Sequence, residues 1–123
     1  MAATQTLISD FETAQRLVDF LEQDGFALQA AVYAMNDEGK GRLYLVPVDH
    51  ATGTLDQMVQ VSQTIANHRG ALPGRYDLQF SVVRPDNAIV EAVTSAGSPN
   101  GHVRGVLKNG TYVDEAYVLR PAA

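Results

Sequence analysis

The sequence predicts a single α+β domain of order α-β-β-α-β-α-β-β, with a mixed or antiparallel sheet of about five strands and helices packed on one side. Three observations carry that expectation. Two segments place apolar residues at helical spacing between a capping signal and a glycine. Several others run apolar, or alternate, over strand lengths. Near the C-terminus Asn109-Gly110 stands between two β-rich segments, the strongest short-range signal for a hairpin. No repeat, low-complexity stretch or linker divides the chain, so residues 1–123 read as one domain, with 1–8 a flexible N-terminal segment.

The elements follow in order. Ser9-Asp10-Phe11-Glu12 has the form of a capping box, in which a Ser hydroxyl accepts from the third amide and a Glu reaches back. Phe11, Ala14, Leu17, Val18 and Leu21 continue at helical spacing and Gly25 ends the run, which predicts a helix over about residues 10–24. ALQAAVYAM (27–35) and RLYLVPV (42–48) are strand-like, and the intervening NDEGKG has the polar, glycine-containing composition of a hairpin loop. Leu43, Tyr44, Leu45, Val46 and Val48 are nearly all apolar, as in a strand covered on both faces.

Thr54 and Gln57 form a second capping box. Leu55, Met58, Val59, Ser62, Ile65 and Ala66 then mark one helical face, expected to turn inward, and Gly70 is expected to close the helix as its C′ residue. Pro73-Gly74 turns the chain into YDLQFSVV, where Tyr76, Leu78, Phe80 and Val82 alternate with polar residues. RPDNAIVEAVTSAG (84–97) fits either a strand over AIVEAV or a short helix capped by Asp86 or Asn87 and ended by Gly97; the punctuation at both ends favours the helix. VRGVLK and TYVDEAYVLR complete the hairpin.

With 46% of residues hydrophobic and 19% charged, the chain can bury a core and is unlike a disordered one. No apolar run is long enough to span a membrane, and MAATQTLISDF lacks the charged-then-apolar pattern of an export signal. There is no cysteine, which removes disulfides, thiolate metal sites and cysteine nucleophiles together, and a cytoplasmic protein is the natural expectation. A formal charge of −5 works against binding to nucleic acid or to an anionic membrane surface.

The hairpin places particular side chains together. A two-residue turn at Asn109-Gly110 pairs Lys108 with Thr111, then Val106 with Val113, Arg104 with Glu115 and His102 with Tyr117. Under strict alternation all of these share one side of the ribbon, while Val103, Leu107, Tyr112, Ala116 and Val118 form the other, core-facing side. His102, Glu115 and Tyr117 are therefore the candidate catalytic residues, because a histidine beside a carboxylate or phenol can move a proton near neutral pH. Arg104 and Lys108 are the candidate ligand-binding residues, as donors to a carboxylate or phosphate. The same residues also make sense as plain structure: Arg opposite Glu is an ordinary cross-strand pair, and His opposite Tyr a common half-exposed contact.

Other chemistry finds little support. His50, His68 and His102 lie at no metal-ligand spacing, so neither a metal nor a cofactor is expected. Asp49-His50 ends a strand, but adjacent side chains point apart; His68 beside Arg69 suits the C-terminal end of a helix. Gly97 to Gly101 lacks the spacing and the Lys-Ser/Thr of a phosphate loop, and no serine sits in a G-x-S-x-G elbow. Glu38-Gly39-Lys40 and Pro85-Asp86 hold the parts of a nuclease motif in the wrong order.

RLYLVPVD (42–49), a strand ending in Pro-x-Asp before a capped helix, and LKNGTYVDEAYVLR (107–120), with its Asn-Gly turn, acidic pair and aromatic-rich end, resemble segments of a family of small bacterial proteins of unknown function. AAVYAM is less aromatic than that pattern. The resemblance implies the element order and a bacterial cytoplasmic origin, and it supplies no catalytic residues.

The expectation is a non-enzymatic binding or protein-interaction module, pairing with itself as a homodimer or with another protein through a sheet edge or helix face. The alternative is a small hydrolase or isomerase with His102 as acid/base and Arg104 as anion anchor. Nucleic-acid binding through Arg104, Lys108 and Arg120 is a third possibility, disfavoured by the net charge.

Overall fold

The computed structural model describes residues 2–35, 40–48, 54–72, 79–96 and 101–120, with side chains from residue 11 in the first segment and residue 55 in the third. Helix α1 (Ala2–Gln23) begins well before the Ser9–Glu12 box. Nothing in Ala2-Ala3-Thr4-Gln5 stops a helix, and Ser and Glu at box spacing are equally compatible with a helix interior. Ala14, Leu17, Val18 and Leu21 are buried along one side of it. It ends at Gly25, whose φ of +89° is open to glycine, with the Phe26 N–H donating to the Leu21 carbonyl at 2.8 Å as in a Schellman cap.

Strands β1 (Leu28–Met35) and β2 (Gly41–Pro47) pair antiparallel, from Met35 opposite Gly41 to Leu28 opposite Pro47. The expected loop residues 36–39 lie outside the described residues. β3 (Phe80–Val82) runs parallel to β2 and is shorter than the alternation of YDLQFSVV suggests; Pro73-Gly74, Tyr76 and Leu78 are also outside the described residues. β4 (His102–Lys108) and β5 (Thr111–Arg120) complete a mixed five-stranded sheet of order β3-β2-β1-β5-β4. The α+β class and the element order are those the sequence predicts.

Helix α3 (Ala88–Ala96) settles the ambiguous segment as helix. Asn87 is its cap: the side-chain oxygen accepts from the Ile89 N–H at 3.0 Å and the Val90 N–H at 3.2 Å. Side chains alternate across the central strands, and each set meets a helix. Ala31, Tyr33, Leu43 and Leu45 pack with Leu17 and Leu21 of α1 and with Val61 of helix α2 (Thr54–Asn67). Val32 and Ala34 pack with Val93, and Val46 with Val90, both of α3. The two long helices thus share one side, and short α3 covers the alternate side chains. This is why β2 is apolar at nearly every position.

Helix α2 corrects the sequence-based expectation. Its buried side chains are Val61, Gln57 at 5% exposure and Thr64 at 5%, and of the expected apolar face Ile65 alone, half-buried, packs against the core. Leu55 is 74% exposed and Val59 48%, with Met58 in part; Ser62 and Ala66 are exposed too. Thr54 begins the helix, though its side chain, and with it half of the expected capping box, lies outside the described residues. Gly70 is not a left-handed cap either: the chain continues into a 3-10 turn over Arg69–Ala71. No helix among the described residues is long and apolar enough to cross a membrane.

Candidate functional site

The polar group of interest is built on the β4–β5 ribbon, and the turn sets its register. Asn109 and Gly110 have φ of 52° and 81°, both left-handed, as a type I′ hairpin turn requires. The pairs that follow are those the turn predicts: Lys108 with Thr111, Val106 with Val113, Arg104 with Glu115 and His102 with Tyr117.

Which side each pair faces is another matter. Alternation breaks at Gly105, where φ is +59° and no ladder pair joins it to Asp114. The strand turns over at that point. Val106 and Val113 therefore join Val103 and Ala116 in the core beside α3, while Leu107 and Tyr112, expected inside, are exposed. Lys108 goes the same way: its Nζ donates to Ser95 Oγ of α3 at 2.9 Å. It is therefore not part of the polar group, which corrects its expected place on one face with Arg104.

Four residues remain together. His102 Nε2 lies 2.7 Å from Glu115 Oε2, and Arg104 Nε donates to the same oxygen at 3.1 Å. The His102 ring stacks on Tyr117 with centroids 4.6 Å apart and planes at 11°. Tyr117 in turn rests on Phe11 of α1, centroids 4.3 Å apart. The Glu115 side chain is only 14% exposed, whereas Arg104 is 77% exposed.

This geometry sets the charge states. Burial pushes the Glu115 carboxyl upward, but the hydrogen bonds from His102 and Arg104, with their positive charge, outweigh it and hold the group below the usual carboxylate value. Burial also raises the Tyr117 phenol, helped by the neighbouring Glu115 charge and opposed by Arg104, so the phenol stays protonated at neutral pH. Glu115 is thus a fixed, ionised acceptor clamped by two donors. In form, His102 with Glu115 is an acid–base pair, and Arg104 is the cation beside it. However, Glu115 already occupies the Nε of Arg104, and one face of the imidazole is covered by Tyr117.

Three clefts of the structure lie elsewhere. One of about 370 Å³ is lined by Lys40, Arg42, Tyr44, Gln79 and Tyr112 among others. One of about 420 Å³ involves Phe26, Pro47, Val48, Asp56 and Gln60. The third, about 360 Å³, is lined by Asp24, Gln63, Thr64, Asn67 and His68 among others. None of the three is lined by His102, Arg104, Glu115 or Tyr117.

The third cleft holds an arrangement that sequence reasoning missed. His68 Nε2 lies 3.2 Å from Asp24 Oδ2, Thr64 Oγ1 donates to that oxygen at 3.2 Å, and the His68 ring stacks on Phe20 at 4.0 Å. It repeats the imidazole–carboxylate–aromatic pattern of His102, and it ties the end of α1 to the end of α2. Asp24 and His68 are 44 positions apart, so no local spacing could reveal the pair.

The remaining basic candidate is also committed. Arg120 Nη2 donates to Asp19 Oδ1 at 2.6 Å and Nε to Glu22 Oε1 at 2.9 Å, both on α1. Burial lowers its pKa, but those two carboxylates more than compensate and hold the guanidinium above its ordinary value. Arg104, Lys108 and Arg120 thus each donate to different acceptors: Glu115, Ser95, and the Asp19 and Glu22 pair respectively. Asp49 and His50 lie outside the described residues, and among the described ones no three His, Asp or Glu side chains gather as metal ligands. No protein-family model, curated protein or solved structure matches the chain.

Proposed function

We propose that this chain is a non-enzymatic protein-interaction module that docks another polypeptide on the outer face of α2. The observation that carries this reading is the inverted burial of that helix. Leu55, Val59, Ser62 and Ala66 recur at i, i+4, i+7 and i+11, one continuous stripe, and all four are exposed while Gln57 and Thr64 are buried. A lone exposed leucine means nothing, since folded surfaces are rich in apolar atoms. A stripe along a whole helix is different, because burying each Leu or Val side chain stabilises by roughly 1.5–3 kcal/mol that the isolated chain forgoes. Docking a second apolar surface recovers it.

A site-specific photo-cross-linker tests this reading. Placed at Leu55 in cells, it should give covalent adducts with a polypeptide, whereas at Glu91, exposed on α3 and away from α2, it should not. Equal labelling from both positions would contradict docking at this face.

The alternative, a hydrolase or isomerase using His102 as acid/base and Arg104 as anion anchor, is favoured by one observation, the 2.7 Å approach of His102 to Glu115. On that reading, turnover of a small ester or similar substrate is detectable and His102→Ala abolishes it with the fold intact. On the interaction reading, His102→Ala leaves the Leu55 adducts unchanged.

A further inference from the structure

We infer that the polypeptide covering the α2 stripe is a second copy of this chain, with the two α2 helices packed antiparallel. This rests on the docking reading above and names its partner.

Charge favours a second copy. Two copies of a chain carrying −5 repel unless they meet where charge is absent. Helix α2 is such a place: of its 14 residues only Asp56 is charged. The row beside the stripe is uncharged over Gln60, Gln63 and Asn67, with the Asp56 carboxylate at its N-terminal end. Apart from that one carboxylate a basic partner would find no acidic rim to recognise there, and an acidic one no basic rim. The surface fits a partner that is itself neutral at the point of contact, and this chain offers one.

Shape favours the antiparallel arrangement. Along the stripe the order is large, large, small, small: Leu55, Val59, Ser62, Ala66. Reversing one copy against another sets Leu55 over Ala66 of the other copy and Val59 over Ser62 of the other copy. Every bulky side chain then meets a small one, and the helix axes can approach at the close end of the usual range, about 8 Å. A parallel arrangement sets Leu55 on Leu55 at one end and leaves Ala66 facing Ala66 across a gap at the other. The antiparallel pair is also isologous, the arrangement that closes into a dimer instead of propagating into a fibre.

The helix ends favour the same arrangement. Asp56 sits in the first turn and exposed Arg69 just beyond the last. Antiparallel packing brings the acidic end of one helix towards the basic end of the other and opposes the two helix dipoles, whereas parallel packing puts like with like.

The chain contains no cysteine, so introduced thiols report cleanly. Leu55→Cys and Ala66→Cys should each fail to cross-link alone with a short bis-maleimide. An equimolar mixture of the two should give a covalent dimer containing one of each. Val59→Glu, at a position 48% exposed and so tolerant of the change, should retain the wild-type circular dichroism and melting midpoint while weakening self-association at least tenfold. If Leu55→Cys cross-links with itself, the antiparallel arrangement is overturned. If neither the single variants nor the mixture cross-links, the second copy is overturned as the occupant. In that case, stripe-specific photo-adducts at Leu55 show that the docking face stands with a different partner, and their absence sinks both ideas.

Discussion

Gly105 and Asp114 face each other across the β4–β5 ribbon without a ladder pair, and the side of the sheet on which every later residue lands follows from that gap. Before it, His102 and Arg104 reach Glu115 on the side of α1; after it, Val106 and Lys108 turn to α3. A glycine at φ +59° performs this switch because an L side chain there crowds the following carbonyl.

Gly105→Ala should therefore destabilise the fold by about 1 kcal/mol, the cost of forcing a Cβ into the left-handed region. Nothing lies within 4 Å of the added methyl, so the loss is backbone strain alone. Urea unfolding of the variant checks it. An unchanged midpoint would mean that the strand turns over for some other reason.

The charge state of Glu115 gives a pH signature. Its folded-state pKa lies below its unfolded value, so its contribution is complete above the unfolded pKa, roughly 4.3, and is lost as pH falls through the folded one. Glu115→Gln should cost about 1–2 kcal/mol at pH 7, as one partner of two charge-assisted hydrogen bonds. That difference should shrink steadily in unfolding curves taken at pH 5, 4 and 3. Arg104→Ala should cost less than about 0.5 kcal/mol, because the arginine is largely exposed and solvent screens its pair.

Arg120 anchors the end of β5 to α1 through Asp19 and Glu22. Both carboxylates are partly solvated, so the pairing is worth less than its short distances imply. Arg120→Met, which keeps the apolar stem, should lose about 1 kcal/mol. A double-mutant cycle with Asp19→Asn should show a coupling that fades as salt rises. A coupling that does not respond to salt would point to packing of the stem in place of the ion pair.

What the sequence made legible, and what it hid, divides along physical lines. Asn109-Gly110 dictates a turn type, and the turn dictates the register, so His102, Arg104, Glu115 and Tyr117 were identifiable as neighbours from their positions alone. Lys108 was misplaced because uniform alternation has no provision for a strand that turns over at one glycine. In α2 the periodicity revealed a stripe but not its direction: when the opposite face holds uncharged Gln57 and Thr64, burying that face is feasible. The start of α1 was obscured because Ser9 and Glu12 suit a cap and a helix interior alike. His68 with Asp24 needed the meeting of two helix ends, which no pattern within either segment encodes.

The most direct test of the account is the mass of the wild-type chain in solution by light scattering, measured from micromolar to hundreds of micromolar. The account predicts a rise to twice the chain mass of 13.3 kDa, abolished by Leu55→Glu without loss of secondary structure. A wild-type chain that holds at 13.3 kDa throughout would contradict pairing of two copies through the α2 face.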